Sequence, residues 1–277
     1  MIRIDAHQHF WRLSRGDYGW LTPRLEPIYR DYLPCDLAPH LTASGVDRTV
    51  LVQAAPTAAE TDFLLDLAGR TPFVAGVVGW IDLEAPGAPQ AVRAFAARPG
   101  ALGLRPMLQD LPDDEWLLRP GLAPSFAAMA EAGLTFDALV KPRHLPALRR
   151  FLERHPHLPV VVDHGAKPDI AGREHAAWAQ AMHALARETH AVCKLSGLVT
   201  EARPDWTVAD LRPYAETLLE AFGPSRLMWG SDWPVVNRAA DYGRWAEATE
   251  ILLSDLPEAD RAAIMGGTAQ AFYGVQP

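Results

Sequence analysis

A chain of 277 residues, 49% hydrophobic and 22% charged, has ordinary globular composition and enough apolar surface for a large core. Its formal net charge of −8 comes from scattered acids without any basic run, which speaks against nucleic acid or an anionic membrane as partner. No apolar stretch approaches the roughly 18 residues of a membrane span, and the two cysteines, Cys35 and Cys193, sit in unrelated contexts, so a reduced cytoplasm is expected.

The first predicted strand spans residues 2–10, IRIDAHQHF. Ile2, Ile4 and Ala6 alternate with Arg3, Asp5 and His7, which is strand periodicity, so Asp5, His7 and His9 are expected on one face. Ile2 enters this strand directly and charges interrupt it, so no secretory leader is expected. Residues 11–33 make a long loop carrying Trp11, Tyr18, Trp20, Tyr29 and Tyr32. A loop of that length is usually functional or disordered, and its aromatic content favours a partly ordered flap over a site. A helix over 36–44 stops at Gly45. Strand 49–54 and helix 58–69 follow, then strand 73–80 and helix 90–97. Strand 101–106 leads into a second loop, 107–120, with Trp116 in it. Helix 124–132, strand 134–140, helix 144–155 and strand 158–164 continue the alternation. Helix 173–189, strand 191–197, helix 208–222 and strand 226–232 complete it, and helices 239–253 and 258–272 end the chain. Strands alternating with helices imply a parallel sheet, and eight such units at this length predict a single (β/α)8 barrel of the TIM type over residues 1–277.

In such a barrel the chemistry sits at the C-terminal ends of the strands. Those ends carry His7 and His9, Gln53, Arg105, Lys141, His164, Lys194 and Ser196, and Asp232. Buried charges are costly unless paired or coordinated, so their recurrence at equivalent positions is better explained by a site than by the core. Asp232 closes the last strand in LMWGSDWP. A carboxylate there can ligate a metal or take a proton from an attacking water; the alternative is a helix cap, since Pro234 could open a helix. The imidazoles of His7, His9 and His164 can ligate a divalent ion or donate to a developing oxyanion. Arg105 can fork onto a substrate oxygen, or pair with an acid such as Asp82. Lys141 and Lys194 can reach substrate, or pair with Asp137 or Asp163. Trp80, Trp116 and Trp233 can wall a site against a sugar ring, or pack the core. The remaining histidines read as packing or surface residues, and the C-terminus from Thr268 reads as structural.

The ordered pieces IDAHQHFW, YLPCDL, GLRPML, VKPRHLPAL, VVVDHGAKP, CKLSGLVTEA and FGPSRLMWGSDWPV run from residue 2 to about 237. Taken together they resemble the lactonase-type branch of the amidohydrolase superfamily, which includes L-fucono- and L-rhamnono-lactonases and 2-pyrone-4,6-dicarboxylate lactonases. The resemblance implies hydrolysis of a sugar-acid lactone to the hydroxy acid. By position, Asp232 would activate water, His7, His9 and His164 would surround the carbonyl or a metal, and Arg105 would bind a substrate oxygen; Lys141, Trp80 and Trp116 are added from their place at the strand ends and loops as candidate substrate contacts. The implied cofactor is one divalent ion, Zn2+ or Mn2+, held by His7, His9, His164 and Asp232, or none at all. The two-metal pattern of the wider superfamily is not expected, because the fourth strand ends in Arg105 and the fifth leads into Lys141 without a histidine. A metal-dependent decarboxylase of an aromatic or pyrone acid, and a non-catalytic sugar-acid sensor, are the alternatives of different class. The sequence does not set the oligomeric state.

Overall fold

The computed structural model describes residues 2–276. Eight strands form one parallel sheet in sequence order. They are β1 (Ile4–Gln8), β2 (Arg48–Val52), β3 (Val74–Gly79), β4 (Ala101–Leu104), β5 (Thr135–Ala138), β6 (Val160–Val162), β7 (Val192–Leu195) and β8 (Leu227–Trp229). The sheet closes where His9 N donates to the Trp233 carbonyl at 2.7 Å and Asp232 N donates to the His7 carbonyl at 2.8 Å. A helix follows each strand: α1 (Pro34–Ser44), α2 (Ala58–Ala68), α3 (Ala88–Ala96), α4 (Ala123–Glu131), α5 (Leu145–Arg154), α6 (Ala176–Glu188), α7 (Val208–Phe222) and α8 (Tyr242–Leu252). This is the (β/α)8 barrel that the alternation predicts. No helix among the described residues is long and apolar enough to cross a membrane.

Two apolar layers hold it. Inside the barrel, Ile4, Ala6, Val50, Val52, Val78, Val161 and Met228 pack together. The alternate residues, such as Leu51, Val77, Phe136 and Val162, face the helices and join the larger outer core. Strands buried on both faces read as continuous Val, Leu and Ile runs for this reason. The helices are apolar on one side only. In α5, Leu145, Leu148, Phe151 and Leu152 recur at helical spacing and are buried, while Arg149, Arg150 and Arg154 point outward.

The predicted final helix, 258–272, runs from α9 (Glu258–Ala262) through a widened helical turn at Ala263–Gly267 into α10 (Thr268–Tyr273). The cause is crowding at the bottom of the barrel: a β-carbon on Gly266 would lie 2.1 Å from the Ile2 carbonyl oxygen. The widened turn lets α10 reach under the sheet, where Ala269 and Tyr273 join the interior cluster.

The long loop after β1 is ordered rather than free. Trp11 and Tyr32 bridge its two ends through backbone hydrogen bonds of 3.0 Å each way. Trp11, Tyr18 and Tyr32 are buried, so those rings pack the loop; Trp20 and Tyr29 are exposed. Trp20 Nε1 donates to the Ala54 carbonyl at 2.8 Å, and the same turn is gripped from below by Glu60, whose carboxylate accepts from Ala54 N and Ala55 N. Burial raises the Glu60 carboxyl from 4.5 to about 7, against the pull of those amides. A raised pKa means that the folded state holds the proton more tightly than the unfolded chain. The contribution is therefore complete below the ordinary pKa and lost as pH rises through about 7. Glu60→Gln should gain on the wild type by about 2–3 kcal/mol between roughly pH 5 and pH 8. Urea unfolding of both proteins at the two pH values measures this, and a constant difference would refute it.

Candidate active site

The polar side chains at the top of the barrel meet around one carboxylate oxygen. His9 Nε2 lies 3.3 Å from Asp232 Oδ1, His7 Nε2 3.8 Å and His164 Nε2 3.8 Å from the same atom. All four residues are buried. The ring centroids of His7 and His9 are 4.9 Å apart, and those of His7 and His164 are 4.4 Å apart.

Simple alternation does not produce this arrangement. With Ile4 and Ala6 pointing into the barrel, Asp5 and His7 would both point out. A one-residue bulge between Asp5 and Gln8 changes the register against β2 and turns His7 inward. The expectation that Asp5 shares the face of His7 and His9 is therefore corrected. Asp5 faces the outer layer, where it accepts from Ser231 N at 2.8 Å and from the Tyr242 hydroxyl at 3.2 Å.

The other two groups enter on strained backbone. Asp232 has φ 57°, and His164 has φ 54° and ψ 36°, followed by left-handed Gly165, Ala166 and Lys167. Non-glycine residues there cost on the order of 1–2 kcal/mol each. This is why β6 and β8 end earlier than their apolar runs suggest: the chain leaves the strand to aim these side chains at the axis. His164 is also held from the side, its Nδ1 2.8 Å from Ser196 Oγ. Gly197 sits against the same ring at φ +64°, where a β-carbon would lie 2.7 Å from His164 Cγ and Nδ1. Gly197→Ala should lower kcat about 100-fold, because displacement of a reacting group by about 1 Å carries that cost. Steady-state kinetics test this, with loss of the wild-type melting profile by a few degrees expected alongside.

Tautomers follow from the fixed partners. His9 Nδ1 donates to the Val52 carbonyl at 2.7 Å, so its Nε2 carries a lone pair toward Asp232. Two acceptor atoms then face each other at 3.3 Å, an arrangement that favours a proton donor or a cation between them. Burial raises the Asp232 carboxyl, but the imidazoles of His164, His9 and His7 outweigh it and hold the group well below the usual carboxylate range. Burial pushes His164 down to about 4, against the attraction of Asp232 and Asp163. Burial and then the Lys194 charge hold His7 well below its ordinary value. The site at neutral pH is therefore an ionised carboxylate among neutral imidazoles.

Beneath it lies a charged layer that sequence reasoning resolved only in part. Arg105 pairs with Asp163 rather than Asp82, its Nη1 3.3 Å from Asp163 Oδ2, and its Nη2 donates to the Gln53 carbonyl. Lys194 takes both acids that Lys141 was also expected to reach, at 2.6 Å from Asp137 Oδ2 and 3.0 Å from Asp163 Oδ1. Lys141 is half-buried after β5 and forms no ion pair among the described residues. The C-terminus, expected to be structural, supports this layer directly. The Tyr273 hydroxyl donates to Asp137 Oδ2 at 2.7 Å from inside the barrel. Nothing in the sequence distinguishes that tyrosine from a packing residue, whereas Asp163, ending VVVD before His164, was visible as a misplaced charge.

Trp80 and Trp116 line a cavity of about 560 Å3 with Trp20, Met107, Asp82 and Asp110. None of the groups around Asp232 lines it; its lining includes Pro106 and Met107, which follow Arg105 in the chain. Trp233 is not part of that wall. It is buried behind β1 against Phe10, Tyr32 and His40.

Residues 4–275 match the amidohydrolase family. The chain belongs to that family. It is 49% identical over 279 residues to an L-fucono-1,5-lactonase of Burkholderia ambifaria, a comparison covering 99% of this chain and 96% of the relative. An L-fucono-1,5-lactonase of Burkholderia multivorans is 40% identical, covering 99% of this chain and 96% of the relative. Among solved structures, an amidohydrolase of Burkholderia multivorans with bound zinc superposes with a TM-score of 0.94 at 40% identity over the full length of both chains.

The residues fit a divalent ion in donor type. His7, His9 and Asp232 offer ligand atoms within 4.8 Å of one another, as do His7, Asp163 and His164. Imidazole nitrogen and carboxylate oxygen are the donors that zinc and its neighbours take.

Proposed function

We propose that this amidohydrolase is a lactonase that opens a six-membered sugar-acid lactone, with L-fucono-1,5-lactone the leading candidate. The observation that carries the reading is the convergence of three imidazoles on one ionised carboxylate, His9 at 3.3 Å and His7 and His164 at 3.8 Å from Asp232 Oδ1. The 49% identity to a lactonase of that specificity supports the substrate.

Ester hydrolysis needs an acceptor for a proton of water, a donor for the carbonyl oxygen and a proton for the leaving oxygen. Asp232 is the acceptor. A water between Asp232 Oδ1 and His9 Nε2 can give a hydrogen to each and point its lone pair at the carbonyl carbon. Asp232 is a weak base, so the nearby His9 lone pair shares the proton that leaves the water. His7 and His164 present ring nitrogens to the carbonyl oxygen as negative charge builds there. When the ring C–O bond breaks, the proton held by the Asp232–His9 pair passes to the departing alkoxide, giving the hydroxy acid. A divalent ion, zinc for example, would be held by His9, His164 and Asp232 with His7 as fourth ligand, and would supply Lewis-acid polarisation of the carbonyl.

The cavity beside the site suits a polyol. Trp20, Trp80 and Trp116 give it flat apolar walls, and Asp82 and Asp110 add carboxylates that accept from hydroxyls but repel a dicarboxylate. Lys141, expected at the substrate, is half-buried after β5 and does not line this cavity. The test is a panel of aldonolactones with 2-pyrone-4,6-dicarboxylate as the control, followed by acid release in weakly buffered indicator. Rapid opening of 1,5-lactones and little of the control is expected; no acceleration with any lactone would defeat the proposal.

A further inference from the structure

We propose that Glu60, a buried carboxylate outside the catalytic cluster, is a positioning residue for substrate recognition. It fixes the turn that holds Trp20 against the cavity, and so governs how tightly a lactone binds rather than how fast it opens. The role deepens the lactonase reading and rests on it only for the ligand.

Glu60 takes over where the sheet lets go of β2. Gln53 N still donates to β3, at the Val78 carbonyl, over 2.8 Å. The next two amides donate to Glu60 instead. Ala54 N lies 3.0 and 3.1 Å from its two carboxylate oxygens, and Ala55 N lies 2.8 Å from Oε2. The carboxylate is fully buried, a cost that these bonds offset. Its place in the chain predicts a different partner. Glu60 is the third residue of α2, and Thr57-Ala58-Ala59-Glu60 has the pattern of a capping box, in which the glutamate bonds the amide of the cap residue. Thr57 does cap, its Oγ1 accepting from Glu60 N at 3.0 Å. The glutamate does not return the bond: Thr57 N donates to the Ala55 carbonyl at 2.9 Å, and the carboxylate reaches past it to the turn.

Two carbonyls on this stretch carry side chains of the site, and they are held differently. The Val52 carbonyl accepts from His9 Nδ1 at 2.7 Å, and Val52 is paired with Val78 in the sheet. The Ala54 carbonyl accepts from Trp20 Nε1 at 2.8 Å, and Ala54 is held by Glu60. Loss of Glu60 therefore loosens Trp20 and leaves His9 in place. The loop that carries Trp20 keeps its other ties, since Thr57 Oγ1 donates to Asp17 Oδ1 at 3.2 Å and Trp11 stays bridged to Tyr32.

Trp20 is 36% exposed and lines the cavity. Its N–H is spent on Ala54, so it offers a ligand only the face and edge of its rings. It also stands near the catalytic groups. Its ring centroid is 5.6 Å from that of Trp11, in an edge-to-face contact, and Trp11 is 6.4 Å from His9. Trp11 braces one side of the indole and the Ala54 carbonyl sets the other, so the angle of this wall follows the turn that Glu60 holds.

Two measurements separate positioning from plain support. The first needs no substrate: acrylamide quenching of Trp20 emission, taken as the difference between each protein and its Trp20→Phe counterpart. Quenching should be stronger in Glu60→Met than with Glu60 present; equal quenching would overturn the role whatever the lactone assay shows. The second uses a 1,5-lactone. Glu60→Met should raise KM about ten-fold with kcat within about three-fold, the signature of lost binding that ground and transition state share. Trp20→Ala should do the same, and the double variant should be no worse than Trp20→Ala alone, because both act through one contact. Glu60→Gln, whose single amide oxygen can take both amides from the Oε2 place, should keep KM within about three-fold. A kcat that falls as far as KM rises would mark Glu60 as structural support and sink the idea. So would an unchanged KM in Trp20→Ala, or effects of the two single changes that multiply. If Glu60→Met does not fold, Trp20→Phe breaks the same path at its exposed end. It keeps a ring, loses the bond to Ala54 and should raise KM at least about two-fold; an unchanged KM overturns the role.

Discussion

Asp232→Asn is expected to lower kcat at least about 1000-fold while KM stays within a few-fold, because it removes an interaction used in the transition state and little of what binds substrate. Asparagine is the right probe. It keeps the shape, and it is among the few residues that tolerate the left-handed backbone at φ 57°. What it loses is the ability to accept a proton, and its amide would donate to His9 Nε2, 3.3 Å away, closing the one lone pair that could take over. The comparison belongs at neutral pH, where the Asp232 carboxyl, held well below its usual range, is ionised. Initial rates with a 1,5-lactone, with circular dichroism to confirm the fold, measure the effect. Rates that recover in excess Zn2+ would show that the residue serves only as a ligand.

The sequence made the barrel legible because period and position carry the information. Apolar runs recur eight times, seven of them end in or lead into polar residues, and His7, His9, Arg105, His164, Lys194 and Asp232 stand at those ends. What it could not show was rotation about a strand axis. The bulge that turns His7 inward while Asp5 stays outside depends on how β1 pairs with β2, and no residue type announces it. Pairings were hidden for a similar reason. Lys141 and Lys194 both follow apolar strands and each could have reached Asp137 and Asp163; only the closed barrel shows that Lys194 takes both. Tyr273 was out of reach altogether, because its contact crosses 136 residues from the bottom of the barrel to β5.

Asp163→Ala should cost about 3–5 kcal/mol of stability, the range for removing one partner of a buried pair. Asp163 is fully buried and lies between two cations, 3.3 Å from Arg105 Nη1 and 3.0 Å from Lys194 Nζ. Burial alone would raise its carboxyl, but the Lys194 charge and His7 outweigh that and hold it ionised, well below the ordinary value. Lys194 retains Asp137 after the change. Arg105 retains no carboxylate in contact, only the Gln53 carbonyl on Nη2 and the His7 ring at 3.3 Å from Nη1, so the penalty falls mainly on an uncompensated guanidinium in the barrel. Relief of the repulsion between Asp163 and Asp137 offsets part of it, since each carboxylate raises the cost of ionising the other. Two comparisons isolate the cause. Asp163→Asn, which keeps an acceptor oxygen for Arg105, should lose less than Asp163→Ala. Asp163→Ala combined with Arg105→Met should recover at least about 1 kcal/mol relative to Asp163→Ala alone, because it removes the stranded charge together with its partner. Denaturant unfolding of these proteins, with Arg105→Met alone as the remaining corner of the cycle, measures the differences. If the double variant is as unstable as the sum of its parts, Arg105 is not what Asp163 neutralises, and the charge layer beneath the histidines is held together by Lys194 alone.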